Sequence, residues 1–199
     1  EISGNRQGTI LEDGEIKNIA RMGVYVHGGS GVTARRLNIH HTGHDGFHLS
    51  KAKNVYVERS YIHHLGMADG AHADGAQVLG GSTITFVGNN FDMPKNQAGF
   101  RSNRNFQVQD SHTTSGDIHV DNFRVEGNWL NGGNFTTSCS GESISHINNR
   151  FGRDYKYGVV TGCTNHVWTG NVWDDTGMPV DWNNDSCKFN SFPADDGDC

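Results

Sequence analysis

Residues 72–94 read HADGAQVLGGSTITFVGNNFDMP, and this stretch decides the fold. A strand-like segment follows Asp74-Gly75, an alternating segment spans 83–87, and an Asn-Asn pair precedes the apolar Phe91. Alternating apolar residues are typical of half-buried strands, whereas clustered glycine and asparagine are typical of tight turns. The stretch therefore predicts one coil of a β-solenoid, built from three short strands.

The second and third strands of this coil recur along the chain. The matching segments are NVYVERSYI (54–62), TITFVGNNF (83–91), FRVEGNWL (123–130), ISHINNRF (144–151) and HVWTGNVW (166–173), with VTARRLNI (32–39) as a looser match. Aligned, they give a polar column (Ser60, Asn89, Asn128, Asn149, Asn171) and, two residues later, an apolar column (Ile39, Ile62, Phe91, Leu130, Phe151, Trp173). Parallel strands about 4.8 Å apart would stack each column directly, and stacked amides can satisfy one another.

A further strand precedes each of these segments. The candidates are MGVYVH (22–27), DGFHLS (45–50), DGAQVL (74–79), AGFRSN (98–103), GNFTTS (133–138) and YGVVTG (157–162). Strand alternation predicts an inward column (Val24, Phe47, Ala76, Phe100, Phe135, Val159) and an outward column (Tyr25, His48, Gln77, Arg101, Thr136, Val160). We therefore predict an all-β chain. Residues 1–182 are expected to form a parallel β-helix of about seven coils, three strands each, and 183–199 a disulfide-closed tail.

Composition agrees with a thin solenoid core. The chain is 34% hydrophobic with 27 glycines and 3 prolines, which favours many tight turns. An antiparallel sandwich also gives short strands and Gly-rich turns, but the columns recur at coil spacing. The net charge of −6 arises in residues 174–199, so the body is charge-balanced. No apolar run reaches the roughly 20 residues of a membrane span. We expect a monomer with no nucleic-acid or membrane partner.

The four cysteines, Cys139, Cys163, Cys187 and Cys199, lie in the last third of the chain. Counted from Phe135 and Val159, Cys139 and Cys163 share a coil position, which predicts a disulfide between them. Cys187 and Cys199 then remain to close the tail. An even number of paired cysteines indicates an oxidising setting, so we expect a secreted protein. A metal cluster is the rival interpretation, but no CxxC spacing supports it.

The asparagine column, the three-strand coil and the Asp-Gly strand start resemble the pectate-lyase-like right-handed parallel β-helix superfamily over approximately residues 9–182. The stretch 72–94 is similar to small secreted polysaccharide lyases of the alginate type. The resemblance implies that the Asp-Gly strand is the first of each coil. It also implies that this sheet, with the loop before it, forms the substrate groove.

The outward row of the Asp-Gly strands holds the sharpest candidate site. Eliminating cleavage of a uronate polymer needs a group that neutralises the carboxylate, a base and an acid. Arg101 and Gln77 suit the first role, His48 the second, and Tyr25 or His72 the third. The loop RFGRDYKYG (150–158) offers a second set, with Lys156 as base and Tyr155 or Tyr157 as acid. His27, Asp45, Asp74, Arg153 and Tyr155 are candidate substrate contacts. Ordinary solvated side chains are the alternative for each.

Asp45 and Asp74 occupy one coil position directly before a glycine. Such a pair suits a Ca²⁺ site, the acid and base of a glycoside hydrolase, or two turn caps. The histidine pairs His40–His41 and His63–His64 suit a transition-metal site or, preferably, a hydrogen-bonded ladder. Apart from the Ca²⁺ alternative, no metal or cofactor is predicted.

The sequence thus favours a secreted polysaccharide lyase whose partner is an acidic polysaccharide such as alginate. The alternatives are a glycoside hydrolase that uses Asp45 and Asp74, and a non-catalytic carbohydrate-binding β-helix.

Overall fold

The structure is a computed structural model that describes residues 1–4, 6–113, 116–138, 140–163 and 166–181, with the backbone alone for 111–113 and 116–118. Every regular element in these ranges is a β-strand. The strands are β1 (Ile2–Ser3), β2 (Ile10–Ile19), β3 (Val24–His27), β4 (Ser30–Thr42), β5 (Phe47–Glu58), β6 (Tyr61–Leu65), β7 (Ala73–Val87), β8 (Asn90–Met93), β9 (Ser102–Gln109), β10 (Ser111–Thr113), β11 (Gly116–Ile118), β12 (Val120–Glu126), β13 (Trp129–Gly132), β14 (Phe135–Ser138), β15 (Glu142–Ile147), β16 (Arg150–Phe151), β17 (Gly158–Thr161), β18 (His166–Thr169) and β19 (Val172–Trp173).

The strands stack in parallel, each on its counterpart in the next coil, as predicted. In the described ranges the first strands of successive coils are β1, β3, β5, β7, β9, β14 and β17, which gives seven coils. Long strands such as β4 and β7 pass through a corner and supply two sides of one coil. The antiparallel hairpin of β10 and β11 is inserted after β9. The fold is the predicted right-handed parallel β-helix.

The asparagine ladder is confirmed at the corner between the second and third strands. Each ladder residue donates from its backbone N–H to the side-chain oxygen of the next one, at 2.8–3.0 Å from Ser60 through Asn89, Asn128 and Asn149 to Asn171. The amide nitrogens donate to backbone carbonyls of the preceding coil, for example Asn128 Nδ2 to Phe86 O at 3.0 Å. The left-handed backbone lies one residue earlier, at positions such as Gly88 and Gly127.

The apolar column after the ladder is confirmed as well. Ile39, Ile62, Phe91, Leu130, Phe151 and Trp173 are in register and buried. Phenylalanine rings fill the middle coils, where Phe86, Phe91, Phe106 and Phe123 pack with centroids 4.7–6.1 Å apart. Offset and edge-on aromatic packing of this kind adds to the hydrophobic burial that stabilises a narrow core.

The predicted register of the first strand is wrong from the fifth coil onward. Ala76 pairs with Phe106, not Phe100, and Phe106 pairs with Thr137. Residues 94–101 form a loop instead of a strand, and a bulge inserts Asn103 between the partners of Ala73 and Asp74. Because β9 begins only at Ser102, the inward position falls on Phe106, six residues after Phe100, and the counting from AGFRSN fails. The bulge then adds one unpaired residue to the strand.

Two consequences follow in the last coils. Phe135 pairs with Gly158, and Thr137 pairs with Val160, one residue away from the predicted alignment with Val159. Thr136 and Val160, predicted to face outward, are buried.

The C-terminal predictions lie largely outside the described residues. Of the four cysteines only Cys163 is described, so the two disulfides stay predictions, as does the tail 183–199. No helix among the described residues is long and apolar enough to cross a membrane.

Candidate functional site

The candidate site lies on the outer side of the first strands β3, β5, β7 and β9, which we call the site face. Tyr25, His48, Gln77 and Gln107 stand in one column, each in register with the next. With about 4.8 Å between coils, the column extends over roughly 15 Å. The prediction placed the first three residues correctly. Gln107 takes the position that was predicted for Arg101.

A buried carboxylate orients the histidine of this column. Asp45 is 4% exposed, and its Oδ2 lies 2.9 Å from Nδ1 of His48. Because a carboxylate accepts hydrogen bonds, Nδ1 carries the proton and Nε2 keeps its lone pair. The ring of Tyr25 meets the imidazole edge-on with centroids 5.1 Å apart, and its hydroxyl lies 3.3 Å from Nδ1 of the exposed His27. The arrangement suits a general base beside a hydroxyl acid.

The two aspartates form a ladder along the chain of coils. Asp45 Oδ1 accepts the backbone N–H of Asp74 at 3.0 Å, and Asp74 Oδ1 accepts Nδ2 of Asn103 at 3.0 Å. Asp74 is 1% exposed, and burial together with the neighbouring Asp45 raises its pKa well above the usual range. The geometry matches the turn-cap interpretation, since both carboxylates bind within the protein.

Gly46 and Gly75, which follow these aspartates, lie where there is no space for a side chain. A Cβ on Gly75 would lie 2.5 Å from a ring carbon of Phe91 and 2.7 Å from the carbonyl oxygen of Asn105. Gly46 is equally crowded, with the Gly75 carbonyl oxygen 2.7 Å away. In the fifth coil the same position holds Asn105, whose amide donates to Asn131 O at 3.0 Å. The Asp-Gly signature is therefore lost there although the strand persists.

Arg104 is a cation beside Asp74 on β9, and the sequence pattern did not indicate it. It pairs in register with Asp74, and its guanidinium contacts the side-chain oxygen of Gln107. Burial lowers the pKa of Arg104 from its usual value, while the charge of Asp74 opposes that shift. Asn103, on the bulge, joins Asp74 to Asn134, whose Nδ2 lies 3.3 Å from Asn103 Oδ1. The alternation of polar and apolar residues in RNFQVQ (104–109) could have indicated that the strand begins near Arg104.

Arg101 and His72 lie beside the face instead of on it. Arg101 precedes β9, and its guanidinium binds Asp69 Oδ1 at 3.0 Å and Ala68 O at 3.1 Å. Arg101 therefore anchors the loop before β7. It does not pair with Gln77, so the predicted outward row of Tyr25, His48, Gln77 and Arg101 is wrong at its last member. His72 is exposed directly before β7.

The residues of the loop before β17 contact two different parts of the solenoid. Its Lys156 and Tyr157 join the far end of the site face, because their backbone N–H groups donate to Gly133 O at 3.0 Å and Asn134 O at 2.8 Å. The ring of Tyr157 packs on Phe135, and the Lys156 ammonium lies 4.8 Å from the Tyr157 ring centroid. Lys156 and Tyr157 of the second predicted catalytic set therefore lie beside the start of β14, one coil beyond β9.

Arg153 and Tyr155 turn toward the third strand of the last coil. The guanidinium of Arg153 lies 3.9 Å from the ring centroid of Trp173 and binds Asp175 at 2.8 Å. Tyr155 stacks on the same tryptophan at 6.3 Å. These contacts separate them from the column of His48 and Gln77.

The histidine pairs form the predicted hydrogen-bonded ladder. His40 and His63 stack at 4.9 Å, and His41 and His64 at 5.5 Å. His41 and His64 have left-handed backbone, which brings adjacent Nδ1 atoms within 2.7 and 2.5 Å. Burial and the neighbouring histidines lower the pKa of His63 to about 4, so His63 is neutral at physiological pH.

In the described part of the chain, no group of three or more His, Cys, Asp or Glu side chains is placed to hold a metal ion. Of the two oxygens of Asp45, one is bound to His48 and the other to a backbone N–H.

Comparison with known proteins identifies a family. A family model described as a right-handed β-helix region matches residues 1–173. No curated protein matches the chain significantly.

Proposed function

The chain belongs to the right-handed β-helix family, which includes proteins that act on or bind carbohydrates, and from this premise we propose that it is a secreted polysaccharide lyase. Its substrate is a uronate-containing polymer such as alginate, which it cleaves by β-elimination. The observation that carries the proposal is the Asp45–His48 pair, set one coil from Gln77 and two from the Arg104–Gln107 contact.

The polymer lies along the coils, across the column of His48, Gln77 and Gln107. Arg104 and the two glutamine amides bind the uronate carboxylate and stabilise the charge that develops on it. Nε2 of His48 removes the proton beside that carboxylate. The electron pair forms the new carbon–carbon double bond as the glycosidic C–O bond breaks. The Tyr25 hydroxyl protonates the leaving oxygen, so atoms and charges balance.

The rigid stack supports the catalytic roles. Asp45 fixes both the tautomer and the ring orientation of His48, because it binds the imidazole and the next coil together. Lys156 and Tyr157 extend the same face and supply contacts to a further sugar unit. Donors that are held before the reaction stabilise the transition state without reorganising. The hydrolase alternative suits the geometry less, because both carboxylates are buried and engaged within the protein.

The test is a panel of alginate, polygalacturonate and neutral polymers, assayed for both double-bond absorbance and new reducing ends. We expect both signals with a uronate polymer, and a loss of about 10²-fold or more in His48→Ala. His119→Ala, an exposed histidine outside the site face, is the matched control. Reducing ends without double bonds would establish the hydrolase alternative. Binding without any product would establish a non-catalytic carbohydrate-binding protein.

A further inference from the structure

A second outward surface lies on the third strands, away from the site face. Tyr61, Asn90, Trp129 and Arg150 stand in one column on β6, β8, β13 and β16. We call this column the aromatic face. Tyr61 and Trp129 are two coils apart, so their rings are separated by roughly 10 Å along the stack. That spacing suits sugar rings in an extended polymer that runs parallel to the coils.

Tyr61 is presented as a fixed platform. It is 37% exposed although it lies among buried strand residues. One side of its ring stacks on His63, with centroids 3.9 Å apart and planes inclined by 22°. The neighbouring groove has a volume of about 630 Å³, and Tyr61, Asn38 and Asn90 contribute to its lining. A large apolar ring with amides beside it can stack on the C–H face of a sugar and bind its hydroxyls.

The charges of this surface select against an acidic polymer. On the outer side of the third strands, the described cations are each paired: Lys17 with Glu15 at 2.7 Å and Arg150 with Asp174 at 2.8 Å. At the rim of the groove, Arg36 binds Asp13 and Arg59 binds Glu58. Asp92 adds a further negative charge, where it accepts Nδ2 of Asn131 at 3.1 Å. A polyuronate would therefore meet cations that already have carboxylate partners, together with the negative charge of Asp92.

We propose that the aromatic face binds an uncharged polysaccharide, as a site separate from the site face. Tyr61 and Trp129 stack on alternate positions of the polymer, and Asn90 between them binds its hydroxyls. The protein then holds a neutral matrix with one sheet while another sheet acts on the acidic polymer. The binding does not depend on the chemistry of His48.

The experiment measures binding of the full chain to cellulose, xylan and galactomannan by pull-down and affinity electrophoresis. We expect at least one of these to be bound, with affinity about tenfold weaker in Tyr61→Ala and in Trp129→Ala. Tyr61→Phe, which keeps the ring, should bind like the unaltered protein. Tyr56→Ala is the control, since Tyr56 is 42% exposed but lies in the second strand of its coil, outside the aromatic face. Each variant is checked for an unchanged melting temperature, and Trp129→Tyr replaces Trp129→Ala if the latter fails to fold.

His48→Ala separates this proposal from the lyase proposal, because it should bind the neutral polymers fully whether or not the lyase proposal holds. Absence of binding to all three polymers would overturn the aromatic-face proposal. So would equal losses in Tyr61→Ala and Tyr56→Ala, or a preference of this face for polyuronate.

Discussion

Two polar columns run through the same stack of coils, the asparagine ladder at the second corner and the aspartate column at the start of the first strands. Along the ladder, the side-chain oxygen of Asn128 accepts from Asn89, and its amide donates to Asn149 and to Phe86. The aspartate column instead contacts His48 through Asp45 and pairs in register with Arg104 at Asp74, and His48 keeps 9% of its surface exposed. Stacking makes both columns, but only the second has hydrogen-bonding capacity left for a ligand.

The largest expected effect is on the cation of the aspartate column. Arg104→Ala should lower kcat by about 10²–10³-fold on a uronate polymer, because a donor to the developing charge is lost. Arg101→Ala should cost far less, since Arg101 binds Asp69 and Ala68 in the loop. Steady-state kinetics on both variants measure the difference. A larger loss for Arg101→Ala would return the neutralising role to the residue that the sequence pattern indicated.

The next effect concerns the ladder itself. Asn128→Leu should lower the free energy of unfolding by about 1–3 kcal/mol, because it strands the N–H and amide of Asn89 and the carbonyl of Phe86. Asn90→Leu, at the exposed neighbour of Asn89, should stay within about half a kcal/mol. Urea denaturation compares the two. Equal losses in the two variants would mean that Asn128 contributes no more to the free energy of unfolding than the exposed Asn90.

These two columns also explain how far the sequence could predict the structure. The ladder recurs with a constant two-residue offset from the apolar column at Phe91 and Leu130, so counting alone finds it. The first strand does not keep such an offset, because the bulge at Asn103 and the loop 94–101 change the register. Asn105 also replaces the expected glycine. A count along a single sequence cannot show that AGFRSN belongs mainly to a loop and that the strand begins later, at Ser102.

The site was therefore predicted in part. His48 and Gln77 follow Asp-Gly pairs that keep the pattern, and they are in register as expected. Arg104 lies beyond the bulge and was missed. The link from Tyr157 to Asn134 depends on loop conformation, which periodicity does not report.

The smallest expected effect is the change in stability when Asp74 of the aspartate column is replaced by asparagine, the residue type of the ladder. Asp74 is buried beside Asp45, and its pKa is raised well above the unfolded value of about 3.9. As the pH rises, Asp74 therefore stays protonated in the folded protein after it has ionised in the unfolded chain. Asp74 then lowers stability increasingly as the pH rises from about 4 toward its folded pKa, by up to about 1.4 kcal/mol per pH unit.

Asp74→Asn removes this penalty, because an amide accepts from Asn103 without a charge to bury. We expect the variant to be more stable than the unaltered protein at pH 7 and equally stable near pH 4, with the difference growing as the pH rises between them. Urea denaturation at both pH values measures this, with the fully exposed Asp69→Asn as the control. A variant that is less stable at pH 7 would show instead that Asp74 is ionised and paired with Arg104. Activity should fall in either case, since the variant lacks the carboxyl group whose charge acts on Arg104.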